Sequence, residues 1–252
     1  MNPKRPPRRS PAVSRSDGTR KHIYNEILRG LPRDEFETVF PKLELIRMQP
    51  RQVLHEVGDT LRSAYFCNTG LISILSVLSD GKTVEVGLVG REGCVGLPLI
   101  AGFRTASNRA VVQIEGTALR VDGNAFTVLL RECPLFERKL QQFSQIMAMQ
   151  ATQIAACNRL HEVEARLARW LLMSADRVGS ASLGLTQEVL GQMLGTRRSS
   201  VTVAAGILQK AGLISYRRGD VRIVQRTKLE RAACECYGLM LRQVKMWQSQ
   251  SE

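Results

Sequence analysis

Between residues 185 and 214, apolar side chains recur every three to four positions, and the pattern is interrupted at Gly195. This spacing predicts two short helices joined by a tight turn. Thr186 is suited to cap the first helix and Thr196 the second, and Gly195 between them suits a left-handed backbone. The second helix is expected to end at Gly212 and to bury one face, made of Val201, Ala204, Ala205 and Leu208. Together these features form a helix-turn-helix pattern.

The period then changes to two. Residues 215–224 read SYRRGDVRIV, and Gly219-Asp220 predicts the turn of a β-hairpin between two short arms. The hairpin carries three arginines, Arg217, Arg218 and Arg222. A basic hairpin directly after a helix-turn-helix indicates a wing that contacts the phosphate backbone of DNA. The alternative is an ordinary helical hairpin with a solvated arginine pair.

Residues 43–122 also show a period of two, in short apolar runs separated by turn residues. Asp80-Gly81 is a strong hairpin signal between two of these runs. Many short strands with regular turns predict a small antiparallel barrel or jelly roll. Helical patterns precede it at 22–40, with a break at Pro32, and a further helix is predicted at 227–248.

A long helix follows the strands, since neither glycine nor proline occurs from Leu135 to Ser174. Its seam positions alternate in spacings of four and three residues, and they are Phe136, Leu140, Phe143, Met147, Gln150, Ile154, Cys157 and His161. Such a narrow seam favours pairing with the same helix of a second copy, with Gln150 setting the register. The alternative is a helix packed on its own domain.

These motifs resemble the CRP/FNR family of bacterial transcription regulators. Residues 185–224 resemble its winged helix-turn-helix, and the glycine-punctuated strands, with the run REGCVGLPLIAG, resemble its β-roll of the cyclic-nucleotide-binding type. The resemblance implies an α+β fold, with an antiparallel β-roll sensor domain, a dimerisation helix and a winged helix-turn-helix. The expected division is a disordered basic tail at 1–21, the sensor at 22–133, the helix at 134–161 and the DNA-binding domain at 162–252.

The resemblance also implies a cytoplasmic homodimer that reads a palindromic operator in double-stranded DNA with the helix at 197–210, and that contacts RNA polymerase if it is an activator. By position, Arg198, Ser199 and Val203 would enter the major groove. Arg198 keeps the family's arginine, which suits guanine O6 and N7. Ser199 and Val203 replace residues of the cAMP receptor, so a different operator is expected. The full set of predicted DNA contacts is Thr186, Gln187, Thr196, Arg197, Arg198, Ser199, Ser200, Thr202, Val203, Arg217, Arg218 and Arg222.

The effector of the sensor domain is not identified by the sequence. In cAMP-binding members of the family, a glutamate holds the ribose and an Arg-Ser pair holds the cyclic phosphate. The matching positions here are Leu97, which follows Gly96, and Arg109 with Ala110. The ribose contact and one phosphate hydroxyl are therefore lost, and we expect that cAMP is not the effector. Arg109 alone could attract an anion, or it could be a solvated strand residue.

Charge is unevenly distributed along the chain. The net charge is +13, of which the first 21 residues contribute +6 and residues 166–252 contribute +8, whereas the stretch between them is close to neutral. A basic domain beside a neutral one favours a polyanion as the partner of the basic domain. The Pro- and Arg-rich residues 1–20 are expected to be disordered, either as a DNA-binding arm or as a solubilising tail.

Other classes of protein are disfavoured. No apolar run reaches the length of a membrane span, and no catalytic triad or phosphate-binding loop is visible, so an enzyme is not expected. The six cysteines suit a reduced cytoplasmic protein. Cys234 and Cys236 are two apart on a predicted helix and should point to different sides, so no metal or cofactor is predicted. The remaining alternative is a cyclic-nucleotide-type regulatory subunit that acts on a protein partner.

Overall fold

The computed structural model describes residues 21–217 and 219–249, so the predicted tail at 1–20 and Arg218 lie outside the described residues. The chain begins with two short helices and a 3₁₀ turn, α1 (Glu26–Arg29), α2 (Arg33–Val39) and Phe40–Lys42. The strands that follow are β1 (Glu44–Met48), β2 (Val53–His55), β3 (Ser63–Val77), β4 (Thr83–Val89), β5 (Cys94–Val95) and β6 (Arg109–Asp122), with a 3₁₀ turn at Leu97–Ala101.

The second half is mainly helical. It comprises α3 (Gly123–Glu132), α4 (Pro134–Leu160), α5 (Val163–Val178), β7 (Ser182–Leu183), α6 (Gln187–Met193), α7 (Arg198–Lys210), β8 (Ile214–Arg217), β9 (Asp220–Ile223), α8 (Arg226–Ala232) and α9 (Cys236–Ser249). No helix in the described part of the chain is both long and apolar enough to cross a membrane. The single helix predicted at 227–248 is wrong, because the chain breaks between Ala232 and Cys236.

The N-terminal strands form one antiparallel sheet in the order β1-β6-β3-β4, with β2 paired to β6 and β5 paired to β3. The predicted turn at Asp80-Gly81 is confirmed, since it connects β3 and β4 and Gly81 has a φ of +80°. β3 continues through Gly70. Gly70 bends the strand with a φ of +91°, and a Cβ there would lie 2.6 Å from the Ile114 carbonyl oxygen. The α+β fold class is confirmed.

Two apolar clusters stabilise the chain. The first fills the space between the sheet and α1 to α4, and its centre is formed by Phe66, Phe126 and Phe136, whose ring centroids lie 5.6–6.4 Å apart. The second surrounds Trp170 on α5 and includes the buried faces of α6 and α7. Leu71, from β3, belongs to the second cluster. The sheet and the C-terminal helices therefore share one continuous interface.

The long helix α4 forms as predicted, but the prediction for its seam is wrong. The chain itself buries most of that stripe, namely Phe136, Leu140, Phe143, Gln150, Ile154 and Cys157, while Met147 and His161 are half-buried. Gln150 accepts a hydrogen bond from Arg177 Nη2 at 3.3 Å, so it does not set the register of a helix pair. A helix presents the same apolar period to its own domain as to a second copy, and periodicity alone does not distinguish the two.

Candidate nucleic-acid interface and effector cavity

The helix-turn-helix is built largely from local interactions. The Thr186 hydroxyl caps α6 by accepting a hydrogen bond from the Val189 amide at 3.3 Å, as predicted. At the other end, Gly195 has a φ of +57° and donates to the Gln192 carbonyl, while the Thr196 amide donates to the Gly191 carbonyl. This pair of bonds is the Schellman arrangement that terminates helices. The prediction that Thr196 caps the second helix is wrong, because Arg197 occupies that cap position.

The second helix of the motif, α7, separates a packed face from an exposed one. Val201, Ala204, Ala205 and Leu208 are buried, as predicted. Arg197, Arg198 and Ser199 are exposed at its beginning, and Val203 is 64% exposed one turn later. The Thr202 hydroxyl lies 2.7 Å from Gln187 Oε1 and so ties this helix to α6. The tip of α7 thus presents donors and an apolar side chain on a rigid support.

The predicted wing is present, with one shift in register. Arg217 pairs with Asp220, so Asp220 begins the second strand and does not lie in the turn, while Gly219 takes a φ of +82°. Arg217 and Arg222 are exposed on the two strands. The segment 179–184 contributes β7 as a third strand, in which Ser182 pairs with Arg222. Arg218 lies outside the described residues.

Two contacts hold the wing next to the helices. The Tyr216 hydroxyl donates to the Leu185 carbonyl at 2.9 Å, and the Tyr216 amide donates to Gln209 Oε1 at 3.1 Å. A Cβ at Gly219 would lie 3.5 Å from Thr186 Cγ2, so the wing turn adjoins the beginning of α6. The arrangement brings Thr186, the exposed arginines of the wing and the start of α7 into one module.

The turn of this module also contacts the sensor sheet, which the sequence did not predict. A Cβ at Gly195 would lie 2.9 Å from Val84 Cγ2 on β4. A cleft between the β3–β4 turn and the start of α7 is lined by Lys82 and Thr83 on one side and by Arg197 and Arg198 on the other. A movement of β4 would therefore act directly on the residues that precede α7.

A second link joins β4 to α5 through a buried carboxyl group. Glu85 is 3% exposed, Ser73 Oγ lies 2.6 Å from its Oε2, and Trp170 Nε1 donates to its Oε1 at 2.8 Å. Burial raises the pKa of Glu85 to about 7, and this effect outweighs the opposing hydrogen bonds of Ser73 and Trp170 and the charges of Arg169 and Arg177. Sequence reasoning did not single out Glu85, because its partners are distant along the chain.

The sensor domain contains a cavity of about 580 Å³ between the sheet and α4. Apolar side chains from the sheet line it, including Ile74, Val86, Val89 and Val95, and Ser144, Met147 and Ala151 of α4 close it. Its polar lining includes His55, whose pKa is lowered by burial. None of the described residues around the cavity is lysine or arginine, so an anion would find no opposite charge there.

Two of the four predicted effector residues line this cavity and two do not. Gly96 and Leu97 line the cavity, with Gly96 at a φ of +103°. Arg109 and Ala110 do not line it. Arg109 Nε forms an ion pair with Glu56 Oε2 at 2.7 Å, and Ala110 is buried in the sensor core. Neighbouring residues of a strand point to opposite faces of the sheet. Neither the Arg109 nor the Ala110 side chain reaches the cavity.

Cys234 and Cys236 do not lie within one helix, although the sequence predicted that they would. Cys234 lies between α8 and α9, whereas Cys236 is the first residue of α9, so the two thiols do not occupy opposite sides of one helix. Instead both converge on Cys157 and His161 at the end of α4. The prediction that the Cys234 and Cys236 side chains point to different sides is therefore wrong. Cys67, Cys94 and Cys133 are buried in the first cluster, as expected of structural thiols.

Two family models match the chain in these regions. The model of the cyclic nucleotide-binding domain matches residues 45–133, and that of the Crp-like helix-turn-helix domain matches residues 165–232. The first match spans the sensor strands and the second spans α6, α7 and the wing. No curated protein sequence matches the chain.

Solved structures share the same architecture at low sequence identity. FixK2 from Bradyrhizobium japonicum has a TM-score of 0.66 at 16% identity, covering 76% of this chain and 98% of its own. The c-di-GMP responsive global regulator CLP from Xanthomonas campestris has a TM-score of 0.63 at 17% identity, covering 76% and 99%. A CRP family transcriptional regulator from Thermus thermophilus has a TM-score of 0.61 at 21% identity, covering 75% and 96%.

At these identities the solved structures establish the fold, while the two matching domains, in this order along one chain, establish its lineage. Both matched domains are present in the structure. The sensor sheet belongs to the first, and the exposed start of α7 and the wing belong to the second. The chain belongs to the CRP/FNR family of transcription regulators.

Proposed function

We propose that the chain is a homodimeric, sequence-specific DNA-binding regulator that reads a palindromic operator with α7. The observation that carries this proposal is the exposed Arg197-Arg198 pair at the beginning of a helix whose opposite face is fully packed. In our division of the chain, the sensor domain ends near residue 133, the long helix spans 134–161 and the DNA-binding domain begins near residue 162.

The exposed side chains at the start of α7 suit a major groove. Arg198 can donate two hydrogen bonds to guanine O6 and N7, and the exposed Val203 can contact a thymine methyl group. Thr202 is less available than the sequence suggested, because its hydroxyl is engaged with Gln187. Arg217 and Arg222 of the wing would contact phosphates and so orient the module without reading bases.

Dimerisation through α4 requires a face that the chain leaves open. That face consists of small and polar side chains at spacings of four and three, namely Gln141, Gln145, Ala148, Thr152 and Ala155. We propose this face as the contact with a second copy, in place of the seam that the chain buries. The small alanine and threonine side chains would allow the two helices to approach closely. The two recognition helices would then occupy half-sites about 34 Å apart.

Selection of duplexes from random DNA by the purified chain is expected to enrich a sequence with two inverted half-sites one helical turn apart. With that duplex, Arg198→Ala should weaken binding by about 1–3 kcal/mol, or roughly 5- to 150-fold, and should relax the preference at one base of each half-site. Fluorescence anisotropy of labelled duplexes measures both effects.

Two variants serve as controls. Arg222→Ala should weaken binding to all duplexes alike and reduce the salt dependence by about one phosphate contact per protomer. Lys210→Ala, at the far end of α7, should change neither affinity nor preference by more than a small amount. Equal affinity of Arg198→Ala and the unmodified chain for the selected duplex would contradict the assignment, and a single asymmetric site would contradict the palindrome.

The effector that we propose for the cavity is an uncharged or apolar molecule, not cAMP. The described residues that line the cavity offer apolar surface and hydroxyl groups, but no cation that could bind a cyclic phosphate. Calorimetric titration with cAMP should therefore show no binding at micromolar concentrations, while a cAMP receptor protein measured in parallel should bind. Saturable heat from one cAMP per chain would contradict this proposal.

A further inference from the structure

Four side chains with metal-binding atoms meet where the end of α4 contacts the α8–α9 junction. Cys157 and His161 belong to the last turn and the C-cap of α4, and Cys234 and Cys236 come from the junction. Cys157 Sγ lies 3.4 Å from Cys234 Sγ, and Cys236 Sγ lies 3.5 Å from His161 Nδ1. All four ligand atoms lie within 4.8 Å of one another, and the three thiols are buried.

The separations of 3.4 Å and 3.5 Å are close to those around one tetrahedral ion. Zinc binds thiolate sulfur at about 2.3 Å and imidazole nitrogen at about 2.0–2.1 Å, which places ligand atoms about 3.5–3.8 Å apart around a tetrahedron. Three thiolates and one imidazole are a typical structural zinc set, and they exclude hard cations such as magnesium and calcium, which prefer oxygen. An iron–sulfur cluster distributes its ligands over several iron atoms, so it does not suit four atoms grouped this closely.

Polar and charged side chains surround the cluster. Gln153 Nε2 donates to Cys236 Sγ at 3.1 Å, and the other ring nitrogen of His161 lies 4.0 Å from the Glu235 carboxylate. Arg169 lies close enough to Cys157 to interact with its thiol group electrostatically. Arg166 also lies close enough to interact with Cys157 and Cys234, so two guanidinium groups can offset the negative charge of three thiolates.

We propose that Cys157, His161, Cys234 and Cys236 bind one Zn²⁺ ion that attaches α9 to the end of α4. His161 has extended backbone angles, with φ −113° and ψ 146°, at the bend between α4 and α5. The ion would therefore fix the bend through which the long helix continues into the DNA-binding domain. Metal occupancy would stabilise one orientation of that domain. The metal site itself does not depend on the proposed reading of DNA, but its effect on DNA affinity does.

Metal analysis of the full chain, purified under reducing conditions, dialysed against Zn²⁺ and then freed of excess metal, is expected to give one zinc ion per chain. Substitution with Co²⁺ should produce the strong visible bands of a tetrahedral site with thiolate-to-cobalt charge transfer. In the loaded chain, three fewer thiols should react with a thiol reagent than in the chelator-treated chain, and chelation should lower the melting temperature.

Three variants distinguish the loss of the metal site from a general loss of folding. Cys236→Ser should lose stoichiometric zinc and the cobalt spectrum, whereas His161→Cys should retain both, because it replaces the imidazole with a fourth thiolate. The matched control Cys67→Ala removes a buried thiol of the sensor core and should leave the metal content unchanged. If the zinc-loaded chain shows an altered melting temperature but the same DNA affinity as the chelated chain, the coupling to DNA is wrong while the site stands.

Two metal-binding results would overturn the site, and so would one disulfide. One is a reduced, folded chain that holds no zinc after incubation and dialysis, with the thiols of Cys157, Cys234 and Cys236 reacting equally with and without the metal. The other is equal zinc content in the unmodified chain and in Cys236→Ser. A Cys157–Cys234 disulfide found by mass spectrometry in the reduced, zinc-treated chain would also overturn it, because a disulfide leaves too few thiolates to bind the ion.

Discussion

Trp170→Ala is expected to lower the free energy of unfolding by about 3–5 kcal/mol, the usual cost of removing a large buried aromatic side chain. Trp170 is 1% exposed at the centre of the second cluster, where sheet residues and the DNA-binding helices meet. Truncation would leave a cavity and would also deprive Glu85 Oε1 of its donor. Unfolding in urea, followed by far-ultraviolet circular dichroism, measures the change.

Two comparisons distinguish packing from hydrogen bonding. Trp170→Phe keeps most of the apolar volume but removes the N–H group, so its cost should be smaller, about 1–3 kcal/mol for an unsatisfied buried acceptor. Val203→Ala, on the exposed face of α7, should change stability by less than about 0.5 kcal/mol. If Trp170→Ala costs no more than Val203→Ala, the sheet and the DNA-binding helices do not share a common packed interface.

Glu85→Gln is expected to remove a pH dependence of stability worth about 3 kcal/mol. The pKa of Glu85 is raised from 4.5 to about 7 in the folded chain, so the folded state binds this proton more tightly than the unfolded state does. The resulting stabilisation is fully present below pH 4.5 and is lost as the pH rises through about 7. The size follows from the difference between these two pKa values, at about 1.36 kcal/mol for each pH unit.

Glutamine is a close substitute at this position, since its carbonyl oxygen can accept from Trp170 and its amide can donate to the Ser73 hydroxyl. The variant and the unmodified chain should therefore be similarly stable at about pH 5, and the variant should be the more stable at about pH 8. Urea unfolding across this range is the measurement, with the exposed Glu37→Gln as the control that keeps the slope. An unchanged slope in Glu85→Gln would show that Glu85 is not the titrating group.

Glu85, the hydrogen-bond partner of Trp170, lies on β4. This strand connects the sensor cavity, α5 and the helix-turn-helix. Val84 contacts the turn before α7, Glu85 binds Trp170, and Val86 lines the sensor cavity. A ligand in the cavity that displaces β4 would thus change contacts made by both α5 and the helix-turn-helix. For a ligand to regulate DNA binding, it needs different affinities for two such arrangements, and β4 is the element that could convey the difference.

The elements whose causes are local were predictable from the chain. Thr186 and Gly195 act through their own backbone and neighbours within a few residues, and Asp80-Gly81 forms a turn between adjacent strands. The period of the apolar residues likewise determined α4 and the packed face of α7. The alternation of short strands and turns was sufficient to predict the class of the N-terminal domain, and the family resemblance supplied its topology.

Only the tertiary structure decided which surfaces meet. A stripe on α4 has the same period whether it faces a second copy or its own sheet, so its burial within the chain could not be predicted from spacing. Cys157 and Cys234 are separated by 77 positions, and Glu85 and Trp170 by 85, so no local pattern relates either pair. Such contacts depend on how complete elements pack, because the burial of apolar surface is non-directional and can be satisfied by several partners.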